Sequence, residues 1–528
     1  MPLNNFKKPI PNTVHWQAHI SSAYLPEVRA SLRRLLRALN CTFALLFATS
    51  LHAGDQPQWG QRDTRNMVSR ERNLPATFDP KTGANVKWVV PIGTESYSTP
   101  VVANGRIYIG TNNGQPRDPK HKGDRGVLMC FEEKTGNFLW QMVAPKREDD
   151  QYYDWPNTGM SSPVTVEGNR VYHVDNRGEV VCLDPKALAN GNDGPYRDEA
   201  RHMTVREKDP LELGKLDADI LWLCDLVKTV GIWSHDGAHS SILVHDRYLY
   251  VNSGTGVDNT HRKIRTPDAP SLVVIDKNTG QLVARDQEGI APNIFHCTWS
   301  SPSFATVKGQ PLIFFAGGNG ILYAFEPFKP ARNGTDSQAA LKKVWQYDPD
   351  PNGPKEQVHR FTSNRRESPS NVYGMPVVVD GRIYLACGGD LFWGKNEAWL
   401  KCIDAATGKE VWSYPLEKHV LSTPAVKDGL IYISDCGRMF HCVDAKTGTR
   451  IWTQDVRGDV WASPMVSDGK VYLGTRSGEF WVFAEGREKR VLNHVEFGDP
   501  ISGTATMANG VVYVATMRNL FAFQAAKR

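Results

Sequence analysis

Trp412 and Trp452 stand 40 residues apart, as do Pro424 and Pro464, and each pair marks the same place in a repeated pattern. One copy reads Ser422-Thr423-Pro424, Gly429-Leu430-Ile431-Tyr432-Ile433, Phe440-His441-Cys442-Val443-Asp444, Thr447-Gly448, Trp452. The copy before it reads Met375-Pro376, Gly381-Arg382-Ile383-Tyr384, Leu400-Lys401-Cys402-Ile403-Asp404, Thr407-Gly408, Trp412. Alternation of apolar and polar residues gives each copy strands rather than helices. The Asp-x-x-Thr-Gly piece is a hairpin turn in which glycine supplies the positive φ. Further copies start at Ser98, Ser162, Ser240, Ser301, Ser463 and Ser502, which with Met375 and Ser422 makes eight. A period near 40 residues is that of one four-stranded propeller blade.

The ends of the chain complement each other. The last copy stops after its third strand, Leu520-Phe521-Ala522-Phe523. Its missing fourth strand stands at the other end, in Phe78-Asp79, Thr82-Gly83 and Val86-Lys87-Trp88. Pairing the two removes the exposed edge that an open array of blades would keep. The expected fold is therefore all-β: an eight-bladed β-propeller of four-stranded antiparallel blades, its ring closed by an N-terminal strand that completes the last blade. The 15 Trp and 45 Gly agree with many short strands joined by tight turns.

Two parts are expected along the chain, a signal-peptide region over residues 1–53 and a single propeller domain over 54–528. A basic stretch from Arg29 to Arg37 precedes an apolar run from Cys41 to Phe47, and Ala48, Ser50 and Ala53 suit cleavage after Ala53. That run is too short to span a bilayer, and no other run reaches that length. Export to the periplasm or outside the cell follows as the expectation. Residues 1–53 hold six of the 62 Lys and Arg and one of the 57 acids, which leaves 56 of each sign in the remainder. A neutral propeller gives no electrostatic reason for a nucleic-acid partner. A monomer is expected, with a small molecule, a sugar or an exported protein as its partner.

Cys130, Cys182, Cys402 and Cys442 fall at one equivalent third-strand position, where other copies place Val274, Ala324, Val482 and Ala522. They read as small core residues, not as disulfide partners or metal ligands. Long insertions fall mainly on the face made by second-to-third-strand loops and blade-to-blade loops: 112–125, 141–158, 253–269, 346–372 and 388–397. The segment 185–219, after a third strand, is the exception. Long loops gathered at one end of a rigid scaffold mark a binding surface. The segments just before the inner strands ring the channel mouth on that face. They hold Tyr97, Trp155, Asn157, His235, Asp236, His239, His296, Trp299, Arg365, Arg366, His419, Trp461 and Asp499. With Asp258 from an insertion, these are the candidate binding residues. Stacking aromatics beside hydrogen-bonding groups suit a planar or sugar-like ligand. His235 and His239 lie in extended chain, where helical metal-ligand spacing does not apply, and no metal site is assigned.

The Ser-x-Pro-Val, Gly-Arg-Ile-Tyr and Cys-x-Asp-x-x-Thr-Gly-x-x-x-Trp elements resemble the repeats of the pyrroloquinoline-quinone (PQQ) propeller family over about residues 56–528. Within that family, quinoprotein alcohol dehydrogenases bind PQQ and calcium on the propeller axis. The outer-membrane protein assembly lipoprotein uses the same propeller as a protein-binding scaffold. A further group of secreted PQQ-like proteins is similar to this chain in Trp233-Ser234-His235 through Ser241, in Ser253-Gly254-Thr255-Gly256-Val257-Asp258 and in His296-Cys297-Thr298-Trp299-Ser300-Ser301-Pro302. The dehydrogenase pattern is incomplete. The nine cysteines include no adjacent pair, Val257 stands where the family has a calcium-binding Asn, and Phe295-His296-Cys297-Thr298-Trp299 lacks the catalytic carboxylate. A hard cation without its oxygen ligands loses most of its affinity. There is no Cys-x-x-Cys-His for haem. No cofactor is therefore assigned, although the resemblance makes PQQ with calcium the one to test. Three functions follow as expectations. The first is an exported ligand- or protein-binding scaffold. The second is a divergent PQQ-dependent alcohol or sugar oxidoreductase using Asp258, Asp236, His235 and Arg365. The third is a carbohydrate-active hydrolase or lyase using His235, His239, His296 and the arginines.

Overall fold

Tyrosine facing a small residue is the unit from which seven of the eight blades are built, and Phe314 facing Ala324 takes that place in the remaining one. Tyr108 pairs with Cys130, Tyr172 with Cys182, Tyr384 with Cys402 and Tyr432 with Cys442 across the second and third strands. Tyr250 faces Val274, Tyr472 faces Val482 and Tyr513 faces Ala522 in the same register. The small third-strand side chain leaves room for the ring, and all of these residues are buried. On its other side the same small residue meets the fourth-strand tryptophan: Cys130 pairs with Trp140, Cys182 with Trp222, Cys402 with Trp412 and Cys442 with Trp452. The cysteines are thus buried and free, as the sequence implies.

The computed structural model describes residues 54–147, 153, 155–204, 209–236, 240–330 and 338–526. The signal region read over 1–53 and His239 lie outside the described residues. Eight sheets each contain a four-stranded antiparallel blade, and two of them gain a short extra strand, Ala339–Ala340 parallel to Leu282–Arg285 and Ser370–Asn371 antiparallel to Arg382–Gly389. Blade 1 comprises Val101–Ala103, Arg106–Asn112, Arg125–Glu132 and Phe138–Pro145. Blade 8 comprises Thr506–Ala508, Val511–Ala515 and Asn519–Gln524, with Val86–Pro91 pairing antiparallel to the last of these as the fourth strand. The split blade expected from the two ends is therefore present.

Tryptophan also ties five of the blades to the next. The indole N–H of Trp140 donates to Pro185 O, that of Trp222 to Lys277 O, that of Trp412 to Ala445 O and that of Trp452 to Gly486 O, over 2.8–3.2 Å. Trp88, on the closing strand, donates to Glu133 O of blade 1 at 3.2 Å and carries the pattern across the seam. The turn glycines complete the joint. A side chain at Gly448 would stand 2.6 Å from the Trp412 ring, and one at Gly280 would stand 2.5 Å from Trp222. Glycine is needed there both for its positive φ and for the close approach of the neighbouring indole. In the turn itself, Asp444 Oδ1 accepts from the Thr447 N–H and hydroxyl.

Residues 56–69 contact the inner strand, or the residues next to it, of all eight blades. Val102 donates to Gln56 O, Val166 to Pro57 O, Phe304 to Asp63 O, Val378 to Thr64 O and Val466 to Met67 O. Asn66 exchanges two bonds with Val426, Ser69 Oγ donates to Met507 O, and Arg65 Nη2 donates to Ser241 O. Arg65 is fully buried, with further bonds to Pro302 O and Trp59 O. This segment fills the channel among the inner strands, and Trp59 lines a small space directly beneath the tryptophans of the mouth.

Two expectations about loops change. The strand Phe138–Pro145 takes up the start of the insertion read over 141–158, because its apolar residues pair with the third strand. The segment 185–219, expected on the opposite face, reaches the 112–125 loop. Lys120 bonds to Glu212 O and Asp217, and Arg125 donates to Met203 O.

Candidate functional site

Three loops converge on His296. It lies between the blade 3 strand Leu282–Arg285 and the blade 4 strand Ser303–Val307, after a short turn at Ala291–Asn293. His235 occupies the equivalent segment before blade 3. It follows the short helix Leu226–Val230, which Asp225 caps and Gly231 ends in a left-handed conformation. His261 comes from the loop after Tyr248–Asn252, and Asp390 from the loop between Arg382–Gly389 and Ala398–Asp404 of blade 5.

The Gly254-Thr255-Gly256-Val257 run holds these segments together. Gly256 N–H donates to Trp233 O and Val257 N–H to His296 O. A side chain on Gly256 would stand 2.7 Å from His235 Cβ. The motif compared with a calcium ligand thus serves as a backbone clamp, and Val257 is fully buried.

His235 Nε2 and His296 Nε2 are 3.0 Å apart. His296 Nδ1 donates to Asp390 Oδ2 at 2.9 Å. The same carboxylate accepts from the Tyr373 hydroxyl and, at 2.9 and 2.5 Å, from the Phe392 and Trp393 N–H groups. Asp236 Oδ2 is 3.5 Å from His235 Nε2 and 3.8 Å from His296 Nε2. Burial works against a charged His296, but the Asp390 carboxylate outweighs it and raises the imidazole above its ordinary value. Asp390 is held below the usual carboxylate range by His296 and its other donors, in spite of burial. His235 is lowered well below its ordinary value by burial and by His296, and His261 is lowered for the same reasons. Burial and Asp390 push the Tyr373 phenol far up. Burial thus disfavours the charged form of His235, while the buried Asp390 carboxylate favours that of His296 beside it.

Above it lies a cavity of about 400 Å³ lined by Tyr97, Trp155, Thr158, Asp236, His261, His296, Trp299, Phe392, Trp393 and Trp461. Tyr97 and Trp461 stack at 6.1 Å, and Arg476 lies 4.7 Å from the Trp461 ring.

Of the residues read from the sequence, Tyr97, Trp155, Asp236, His296, Trp299 and Trp461 meet at this cavity. His235 lies behind His296, fully buried. His239 lies outside the described residues. Asp258 is buried and accepts from Thr260. Arg365 does not line the cavity. Its guanidinium donates to Leu391 O, Phe392 O and Gly394 O and so braces the Asp390 loop. Arg366 is exposed, and His419 is buried with its carbonyl bonded to Cys436 N–H. Neither is among the residues lining the cavity. The sequence reading missed His261, Tyr373, Asp390, Phe392 and Trp393. The carboxylate absent from the His296 segment is supplied by Asp390 of another blade. The Gly388-Gly389-Asp390 and Trp393-Gly394 flanks, marks of a tight loop, were the available signal.

The sequence profile described as outer membrane protein assembly factor BamB matches residues 124–188 and 396–525. The chain is an eight-bladed β-propeller that carries PQQ-like repeats over these two stretches. Among solved structures, this propeller is similar to BamB from Moraxella catarrhalis, at 11% identity over 83% of this chain and 99% of that one, with a TM-score of 0.51. A europium-containing methanol dehydrogenase aligns at 13% identity over 89% and 98% of the two chains, with a TM-score of 0.55. The quinohemoprotein alcohol dehydrogenase from Comamonas testosteroni aligns at 13% identity over 92% and 83%, also at 0.55. These likenesses concern the fold. No curated protein matches the sequence significantly.

The PQQ–calcium pair implied by the resemblance does not fit the donors of this propeller. Calcium takes six to eight oxygen ligands, whereas this floor offers imidazole nitrogens and the Asp236 carboxylate. A quinone with three carboxylates calls for cationic donors, yet no Arg or Lys is among the lining residues and Arg365 is engaged with backbone carbonyls. Among the described residues, no helix is long and apolar enough to cross a membrane.

Proposed function

We propose that the protein is an exported binding propeller whose axial cavity takes one small organic molecule with a flat or sugar-like face. The observation that carries this reading is the cavity itself. It has about 400 Å³ of space walled by Tyr97, Trp155, Trp299, Phe392, Trp393 and Trp461, with Asp236, His261 and His296 as its polar groups. Its size falls within the range of about 300–1,000 Å³ found for small-molecule sites. Stacking faces with a few convergent polar groups suit a sugar ring or a planar heterocycle. The aromatic residues line a cavity rather than spreading over one face, which favours a small ligand over a docked protein. Export is supported by the pattern of basic, apolar and small residues over 29–53.

Melting scans of the mature protein against mono- and disaccharides, planar heterocycles and PQQ test the reading. A bound member of either favoured class raises the melting temperature. Trp155 is 46% exposed, so Trp155→Ala should weaken that binding about tenfold without altering the melting of the free protein. Failure of every sugar and heterocycle to shift the transition, or unchanged binding by Trp155→Ala, overturns it. Stabilisation by PQQ alone would favour the oxidoreductase alternative. For export, expression in a Gram-negative host should give a periplasmic product that starts at or near Gly54.

A further inference from the structure

Three imidazoles and a carboxylate share one point at the floor of the cavity. One ring nitrogen from each of His235, His261 and His296 lies within 4.8 Å of the others. Three donor atoms form a tighter triangle: His235 Nε2 to His296 Nε2 at 3.0 Å, and Asp236 Oδ2 to these two at 3.5 and 3.8 Å. Donors about 2.0–2.1 Å from a tetrahedral zinc stand about 3.3 Å from one another. We propose that His235, His261, His296 and Asp236 bind a first-row transition dication, with zinc the best match to the donors.

Several independent features support this. Asp390 takes the Nδ1–H of His296 at 2.9 Å, which directs the Nε2 lone pair toward His235 and Asp236. A carboxylate behind a histidine is the usual support of a metal ligand, fixing its tautomer and its orientation. The backbone is bent to bring the donors together. Asp236 and His261 both adopt a left-handed conformation, at φ 58° and 57°, which disfavours side-chain-bearing residues. Imidazole nitrogen with one carboxylate oxygen selects zinc and its neighbours over calcium or magnesium. An entry path exists, since His261, His296 and Asp236 all line the open cavity. When the metal enters, the proton shared between the two Nε2 atoms leaves. Two other groupings of histidine and carboxylate already hold a side-chain cation: Asp217 beside His121 pairs with Lys120, and Glu179 beside His202 pairs with Arg177 and Arg147. The site rests on its own donors and goes beyond the organic-ligand reading.

The test is to strip the mature protein with a chelator and titrate it with Co²⁺, then with Zn²⁺, following visible absorption. The expected result is about one equivalent of Co²⁺ with the strong visible bands of tetrahedral coordination, displaced by zinc. His296→Ala and His261→Ala should abolish those bands, and Asp390→Asn should weaken binding about 10–100-fold. His261 is only partly buried, so its variant answers the question if the His296 variant fails to fold. Trp155→Ala should keep the metal spectrum while binding any organic ligand about tenfold more weakly, which separates the two readings. Absence of stoichiometric uptake by the wild type, or unchanged uptake by His261→Ala, overturns the proposal.

Discussion

His296 and Asp390, 94 residues apart in the chain, are joined by a 2.9 Å hydrogen bond that is almost wholly buried. The bond links the approach to blade 4 with a loop of blade 5. Asp390 also gathers the Tyr373 hydroxyl and two backbone N–H groups, so one carboxylate organises the floor of the cavity. Replacing it with Asn keeps the volume but removes the charge that His296 requires. Asp390→Asn should lower stability by about 2–4 kcal/mol, read from urea unfolding. A loss below about 0.5 kcal/mol would mean that the pair does not anchor these loops.

Arg65 should be the most sensitive position of the segment that fills the channel. It is fully buried, and its guanidinium serves the carbonyls of Trp59, Ser241 and Pro302. Burial lowers its pKa to about 9, a measure of how completely it is removed from water. Arg65→Ala should cost about 2–4 kcal/mol, through a cavity and three stranded carbonyls. Arg65→Lys should recover only part of this, because an ammonium cannot reproduce the planar fork. Equal melting of wild type and the Ala variant would contradict the assigned contacts.

Two glycines of the blade built from Ala425–Lys427, Leu430–Ser434, Met439–Asp444 and Arg450–Asp455 separate backbone strain from packing. Gly429 and Gly448 have φ of 76° and 72°, but a side chain at Gly429 meets nothing within 4 Å while one at Gly448 stands 2.6 Å from Trp412. Gly429→Ala should cost about 1 kcal/mol, the price of the left-handed conformation alone. Gly448→Ala should cost about 1–3 kcal/mol more, since the indole between blades must move. Parallel chemical denaturation of the two variants gives the difference directly.

The buried cluster around His202 sets a pH dependence. Burial alone would lower the imidazole, but Asp175 and Glu179 raise it from 6.5 to about 9. Glu179, 2.8 Å from the ring, is held well below the usual carboxylate range against its own burial. The stabilisation from His202 is therefore complete below pH 6.5 and is lost as pH rises through about 9. That from Glu179 is complete above its ordinary value of 4.5 and is lost as pH falls toward strong acid. Urea unfolding at about pH 6 and pH 10 should show a loss on the order of 2–3 kcal/mol for the wild type beyond that for His202→Gln. Identical pH profiles would show that the ring carries no charge in the folded state.

The repeat made the fold legible. Aromatic-to-small registers between second and third strands, turn glycines and the split last blade are local patterns, and a strand pattern carried through eight blades leaves one closed solution. The channel-mouth aromatics Tyr97, Trp299 and Trp461 were legible too, because each stands three residues before the proline that opens an inner strand, and Trp155 lies further upstream in the same kind of segment. Three things were decided only in the tertiary structure. Residues 56–69 belong to no repeat, so their contacts with all eight blades have no signature in the period. Asp390 and His261 sit in insertions, whose paths depend on what they pack against. Arg365 is a cation at the right offset, yet its fork is consumed by the carbonyls of the loop it braces. The sequence sets which residues repeat and therefore where strands lie. Which side chains from different blades converge on the axis depends on ring closure, and that is a property of all the blades at once.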